Sequence, residues 1–232
     1  MVSLRSLAPL LALLLLACRP APQAPPAPQA PPPSRPDLEP QAPARPPPGP
    51  IVPEPQPLAD EERDAVLFAR WRGKHPALVE PFEEFLQHER LAQVVPTYQL
   101  LRSASMWKEC QAEPFQVPPP EEWEKVRDLL RLLQELKRRH IVSTFEVVSA
   151  YRDPKLNRCA GGAPGSSHQR FAVDIAPLPE PEAVSLCRFW REEGRGWDMG
   201  VSRYPSGRIH IDRTGYRTWG ASHRRGSSYC LQ

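Results

Sequence analysis

Between Arg19 and Pro57 the chain reads "RPAPQAPPAPQAPPPSRPDLEPQAPARPPPGPIVPEPQP", and more than half of its 32 prolines fall in this stretch. Proline fixes φ and has no backbone N–H, and large apolar side chains are almost absent, so the stretch can neither build regular structure nor bury a core. It favours extended polyproline II at about 3.1 Å per residue, a reach on the order of 100 Å when stretched. Everything that folds must come after it. Residues 18–57 therefore read as a disordered tether; a ligand for a proline-recognising module is the alternative.

What precedes the tether is "MVSLRSLAPLLALLLLAC", with a charge at Arg5, an apolar run from Leu7 to Ala17 and a small residue before Cys18. This is the layout of a secretory signal over residues 1–17, too short for a permanent membrane span. Leu15 to Cys18 resembles a bacterial lipobox. That resemblance implies cleavage before Cys18 and lipidation of its thiol, and acyl chains hold a membrane at about 0.8 kcal/mol per buried methylene. Arg19, in place of an aspartate after the cysteine, favours the outer membrane of a two-membrane bacterium. The expected location is the periplasmic face of the cell envelope.

Export accounts for the remaining cysteines, Cys110, Cys159, Cys187 and Cys230, an even set in a compartment that permits disulfides. Of the three pairings, Cys159 with Cys187 and Cys110 with Cys230 is favoured, the second joining the beginning of the domain to its end. Their wide spacing argues against a thiolate zinc site. A formal net charge of +3 gives no reason to expect nucleic acid.

Folded sequence begins near Leu58. Helices are expected in "ADEERDAVLFARWRGK", with Ala65, Phe68 and Trp71 on one face, in "EPFEEFLQHERL", and in "PEEWEKVRDLLRLLQELKRRH", where Trp123, Val126, Leu129 or Leu130, Leu133 and Leu136 recur at helical spacing. Short β-like runs follow in "TFEVVSAYR", "FAVDIAPL", "DMGVSRYP" and "RIHID", with a further helix in "PEAVSLCRFWREEG". The expected fold is α+β, a small antiparallel sheet with packed helices. A helical region is assigned to 58–105 and the site-bearing domain to 106–232, with no internal repeat, and a monomer is expected.

Asp174 stands inside the apolar run "FAVDI", and a buried carboxylate needs a partner. His168 precedes it in "GSSHQR", and His210 lies in "RIHID", where His210 and Asp212, two apart on a strand, share a face. Two histidines and a carboxylate can hold a catalytic zinc and leave a fourth place open. Composition and spacing alone leave a core histidine and a salt-bridged aspartate as the simpler reading.

The ordered motifs "VVSAYRDPKLNRCAGGAPGSSHQRFAVDI" and "GVSRYPSGRIHIDRTGYRTW" resemble the zinc D-alanyl-D-alanine carboxypeptidase and murein endopeptidase family, whose fold also includes lysostaphin-type peptidases and the hedgehog domain. The resemblance runs from Val147 to Trp219. It implies Zn2+ held by His168, Asp174 and His210, with Arg152 facing the scissile bond and the substrate carboxylate, a task suited to a guanidinium. Ser166 matches a substrate-binding position, and "RTGYRTW" would pack behind the metal. His75, His88, His140 and His223 fall outside the motifs and read as surface or helix-end residues.

Two departures stand out. Asp174 follows His168 by six positions, one fewer than in the family pattern, and Phe171 stands near the missing glycine. The positions where relatives carry a base before the last ligand hold Tyr204, Gly207 and Arg208. Asp212 becomes the candidate for base or for a partner that orients His210, and Tyr204 a candidate donor to the oxyanion. The resemblance implies a zinc D,D-peptidase acting on peptidoglycan stem or cross-link peptides. A wall-binding or scaffolding lipoprotein that keeps the fold without hydrolysis is the alternative.

Overall fold

A computed structural model of the protein describes residues 60–144 and 146–232. The signal expected at 1–17, Cys18 and the tether expected at 18–57 lie outside the described residues. The fold is α+β.

Helix α1 (Asp60–Lys74) ends on basic residues, which suit the negative pole of a helix, and buries Phe68 and Trp71 while Ala65 stays exposed. Helix α2 (Pro76–His88) starts on a proline, whose missing N–H costs nothing at that place, and buries Val79, Phe82 and Leu86. A short helix α3 (Thr97–Leu100) follows. Helix α4 (Trp123–Arg138) is the central packing element: Val126, Leu129, Leu130, Leu132, Leu133 and Leu136 are all buried, so both leucines at 129 and 130 point inward. Helices α1, α2 and α4 share one apolar core with the sheet, and ring pairs such as Phe68 with Phe115, 5.1 Å apart, join the first helix to it.

The sheet has five strands, β1 (Val147–Ser149), β2 (Ala172–Ile175), β3 (Gly200–Arg203), β4 (Ile209–Asp212) and β5 (Arg217–Trp219), in the order β1-β2-β4-β3-β5. Four of them coincide with the runs expected from sequence. The fifth corrects the expectation of a purely antiparallel sheet, because β5 pairs with β3 in parallel. The register gives the reason: Asp212, at the end of β4, and Arg217, at the start of β5, both face Gly200. The turn between them crosses the end of β3, tied by Gly215 N–H donating to Asp198 O at 3.0 Å.

Strand alternation sends Val173, Ile175, Val201, Ile209 and Ile211 into the core and leaves the opposite face to polar side chains. On β1 a register shift between Val147 and Ser149 breaks the alternation: Val147 pairs with Ile175 on the core side, and Ser149 with Asp174 on the polar side. A bulge here re-aims one side chain. Helix α5 (Pro154–Cys159) follows, capped by Asp153, which accepts from Lys155 N and Leu156 N at 2.7 and 2.8 Å. Helix α6 (Glu180–Glu192) covers the core face with Leu186, Phe189 and Trp190.

The disulfide pairing differs from the expected one. Cys110 bonds Cys159 and Cys187 bonds Cys230, with Cα separations of 5.8 and 4.9 Å. Gln116 exchanges two hydrogen bonds with Asp153, 2.6 and 2.9 Å, and so draws the Cys110 turn onto the α5 region that ends in Cys159. The C-terminal turn lies on α6, where Arg191 Nη1 donates to Cys230 O at 2.9 Å, so Cys187 meets Cys230.

Candidate metal centre

The polar face carries its side chains in rows set by register. One row runs Ser149, Asp174, His210, Ser202 and Trp219 across all five strands. His168 enters from a single 3-10 turn (Ser167–Gln169) just before β2, capped by Ser166, whose Oγ accepts from His168 N at 3.3 Å. His168, Asp174 and His210 are all buried, and their donor atoms lie within 4.8 Å of one another.

His168 Nε2 is 3.2 Å and His210 Nδ1 is 2.9 Å from the same oxygen, Asp174 Oδ1. Tetrahedral zinc with bonds of about 2.0 Å sets its donors about 3.3 Å apart, so these separations fit one cation. The far nitrogens fix the tautomers we assign. His168 Nδ1–H donates to Ala150 O at 2.6 Å, which turns the Nε2 lone pair to the centre. His210 Nε2–H donates to Asp212 Oδ2 at 2.8 Å, with Ser167 Oγ 3.0 Å from the same nitrogen, which turns Nδ1 to the centre. Held imidazoles of this kind are what metal sites use to raise ligand basicity and fix ring orientation. The donor set fits zinc.

Charge in the site is tightly balanced. Burial would raise the Asp174 carboxyl, but His168 and His210 hold it well below the usual range. Burial would lower His210, yet its bonds to Asp174 and Asp212 outweigh that and raise it to about 9. For His168 burial wins and the imidazole is pushed down. Arg152 Nη2 donates to Asp174 Oδ2 at 3.0 Å, and Nη2 and Nε donate to Ser149 Oγ at 2.8 and 3.1 Å.

Asp212 is fully buried and occupied on every side. Besides His210 it accepts from Thr214 N and Oγ1, both at 2.8 Å, and from Arg217 Nη1 and Nη2 at 2.9 and 2.7 Å. It meets His210 through Nε2, whereas Asp174 meets that ring through Nδ1. Gly200 makes the arrangement possible: a Cβ there would sit 2.7 Å from Asp212 Oδ2 and 2.9 Å from Arg217 Nη1. Of the two roles expected for Asp212, these contacts fit orientation of His210.

A cleft of about 510 Å³ opens over the three donors, lined by Arg152, Ser166, His168, Tyr204 and His210 among others. Tyr204 stands edge-on to His210 with ring centroids 6.4 Å apart, and burial, then the charge of Asp174, raise its phenol far above neutral pH. Trp219, expected behind the metal, packs against His210 at 5.2 Å and lines the cleft. The family pattern's glycine falls near Phe171, and Phe171 has φ 92, a conformation costly for a bulky residue and held here by nearly complete burial. Ala150 O, Ser149, Ser167 and Gly200 were not singled out from sequence; only the "SAYR" and "SSH" motifs pointed near the first three.

Comparison with known proteins agrees with this geometry. A sequence model of the family described as Peptidase M15 matches residues 99–212, a span that includes α4, β1 to β4, Arg152 and all three donors. The curated proteins and the solved structures gave no match. The donor constellation and the matched segment coincide: residues 99–212 match Peptidase M15, a family of zinc metallopeptidases.

Proposed function

We propose that the protein is a zinc-dependent D,D-peptidase that cleaves peptidoglycan stem or cross-link peptides, held in the bacterial envelope by a lipid on Cys18. The observation that carries this reading is the convergence of His168 Nε2, Asp174 Oδ1 and His210 Nδ1 under an open cleft. Zinc held by these residues would act as a Lewis acid on a substrate carbonyl and make a hydrolytic nucleophile available near neutral pH.

The chain's own groups supply the rest. Arg152 uses Nε and Nη2 on Ser149 and Asp174, which leaves Nη1 free to meet a substrate carboxylate or a developing oxyanion at the cleft. Tyr204 keeps its proton at neutral pH and serves as a second donor to that oxyanion. Ala150 and Asp212 hold the two imidazoles in place, so the donors need little reorganisation. Ser166 lines the cleft beside His168 and can meet the substrate backbone. The proline-rich tether, with its reach on the order of 100 Å, would let an anchored domain work on the wall at a distance from the membrane.

One observation favours the second reading, a peptidoglycan-binding lipoprotein without hydrolysis: among the described residues, no aspartate or glutamate lines the cleft. Incubating the zinc-loaded full chain with purified murein separates the two. The peptidase reading expects new muropeptides, absent with chelator and with His210→Ala. Murein that is retained but chemically unchanged by both proteins would favour the binder.

A further inference from the structure

The family match ends at residue 212, yet Arg217, Trp219, His223 and Arg225 also line the cleft. These residues belong to a C-terminal strap fixed at both ends. A Cβ on Gly220 would lie 1.7 Å from Ser227 O, so the strap closes tightly on itself there. Thr218 Oγ1 and Ser228 Oγ are 2.5 Å apart, and the Cys187–Cys230 bond ties the strap's end to α6. The backbone of Arg225, between these ties, is therefore held in a set place.

Among the described residues no Asp or Glu lines the cleft, while Arg152, Arg217, His223 and Arg225, which line it beyond the donors, do not all find a carboxylate. Arg152 is paired with Asp174 and Arg217 with Asp212, but Arg225 has no carboxylate partner among the described residues; it lies exposed, 5.7 Å from the centroid of the Trp190 ring. His223, exposed on the same strap, adds no negative charge. An exposed, unpaired guanidinium on a residue lining a cleft that no Asp or Glu lines will attract an anion, and its planar fork suits a carboxylate.

We propose that Arg225 forms a second anion subsite that selects peptides carrying a carboxylate in addition to the one met by Arg152. This rests on the peptidase reading for the identity of the ligand as a peptide. The second carboxylate could be a side-chain group or the chain terminus; both present the same chemistry to Arg225. Because the strap lies outside the donor cluster, the contact binds substrate and transition state alike and shows in KM more than in kcat.

The test uses the zinc-loaded full chain with three synthetic D-alanine peptides: one with free side-chain and terminal carboxylates, one with the side-chain carboxylate amidated, and one with the terminus amidated. The unmodified protein should prefer the first over the form that lacks Arg225's carboxylate by about tenfold in kcat/KM, and the preference that Arg225→Gln abolishes identifies that carboxylate. Arg225→Gln should bring that ratio near one through KM, Arg225→Lys should restore part of it, and added salt should weaken it. Equal ratios in the unmodified protein and Arg225→Gln would overturn the subsite while leaving the peptidase reading intact. If no peptide is cleaved, equilibrium binding of the same panel followed by tryptophan fluorescence decides: a preference lost in Arg225→Gln keeps the subsite while the peptidase reading falls, and no preference overturns both.

Discussion

Two adjacent rows on one face of the sheet put the same residue type to opposite uses. In the first, Asp174 faces His210 across β2 and β4, and its Oδ1 lies beneath the cleft with a histidine on either side. In the second, two residues along, Asp212 faces Gly200 and Ala172, and Arg217 and Thr214 occupy all its remaining acceptor capacity. Both carboxylates are buried, so burial does not assign their roles. Partners do: an arginine fork seals the second row, and imidazole nitrogens directed at one point leave the first row able to take a cation.

The difference is easiest to break in the first row. Asp174→Ala or His210→Ala should reduce bound zinc from about one equivalent per chain to near none, because two donors no longer compete with water. Metal analysis after dialysis checks it, and circular dichroism shows whether the fold survives. Zinc retained by both variants would place the metal elsewhere.

A change confined to the second row should weaken the metal without removing it. Asp212→Asn leaves the donors intact but makes the partner of His210 neutral, and such changes typically cost about 10–100-fold in metal affinity. Competition against a chelating dye measures it. An unaltered affinity would mean that Asp212 does not orient His210.

Gly200→Ala probes the same row through sterics alone. The added methyl must push Asp212 or Arg217 aside, with an expected loss of about 1–3 kcal/mol in stability and a smaller loss in zinc affinity than Asp212→Asn gives. Denaturant unfolding with and without zinc separates the two effects.

The gentlest perturbation is pH applied to the metal-free chain. His210, raised from about 6.5 to about 9, contributes stability that is fully present below its unfolded value and is lost as pH rises through the folded one. Metal-free protein should therefore lose thermal stability between pH 6.5 and 9. Zinc binding, which must displace the Nδ1 proton, should tighten over the same window.

Much of this was legible in the sequence because it depends on local periodicity. The heptad-like leucines of α4, the alternation in β2 and β4 and the His168, Asp174, His210 set with Arg152 are all visible without coordinates, the last through family resemblance. What depends on register was not. The parallel β5 is three residues long, too short for alternation to show. Gly200 matters only because it faces Asp212 on one side and Arg217 on the other, and the carbonyl of Ala150 carries no side-chain signature. The disulfide pairing follows from which turns pack together, which the spacing of cysteines does not encode. Phe171 is a local conflict, an aromatic residue in a glycine-like conformation, tolerated because the core closes around its ring.

The central claim is that one zinc ion is held by two imidazole nitrogens and one carboxylate oxygen of this chain. X-ray absorption at the zinc edge of the loaded full chain tests it most directly. The account predicts nitrogen and oxygen neighbours at about 2.0–2.1 Å with an imidazole scattering pattern that His210→Ala abolishes. A sulfur neighbour at about 2.3 Å, or a spectrum that His210→Ala leaves unchanged, would contradict it.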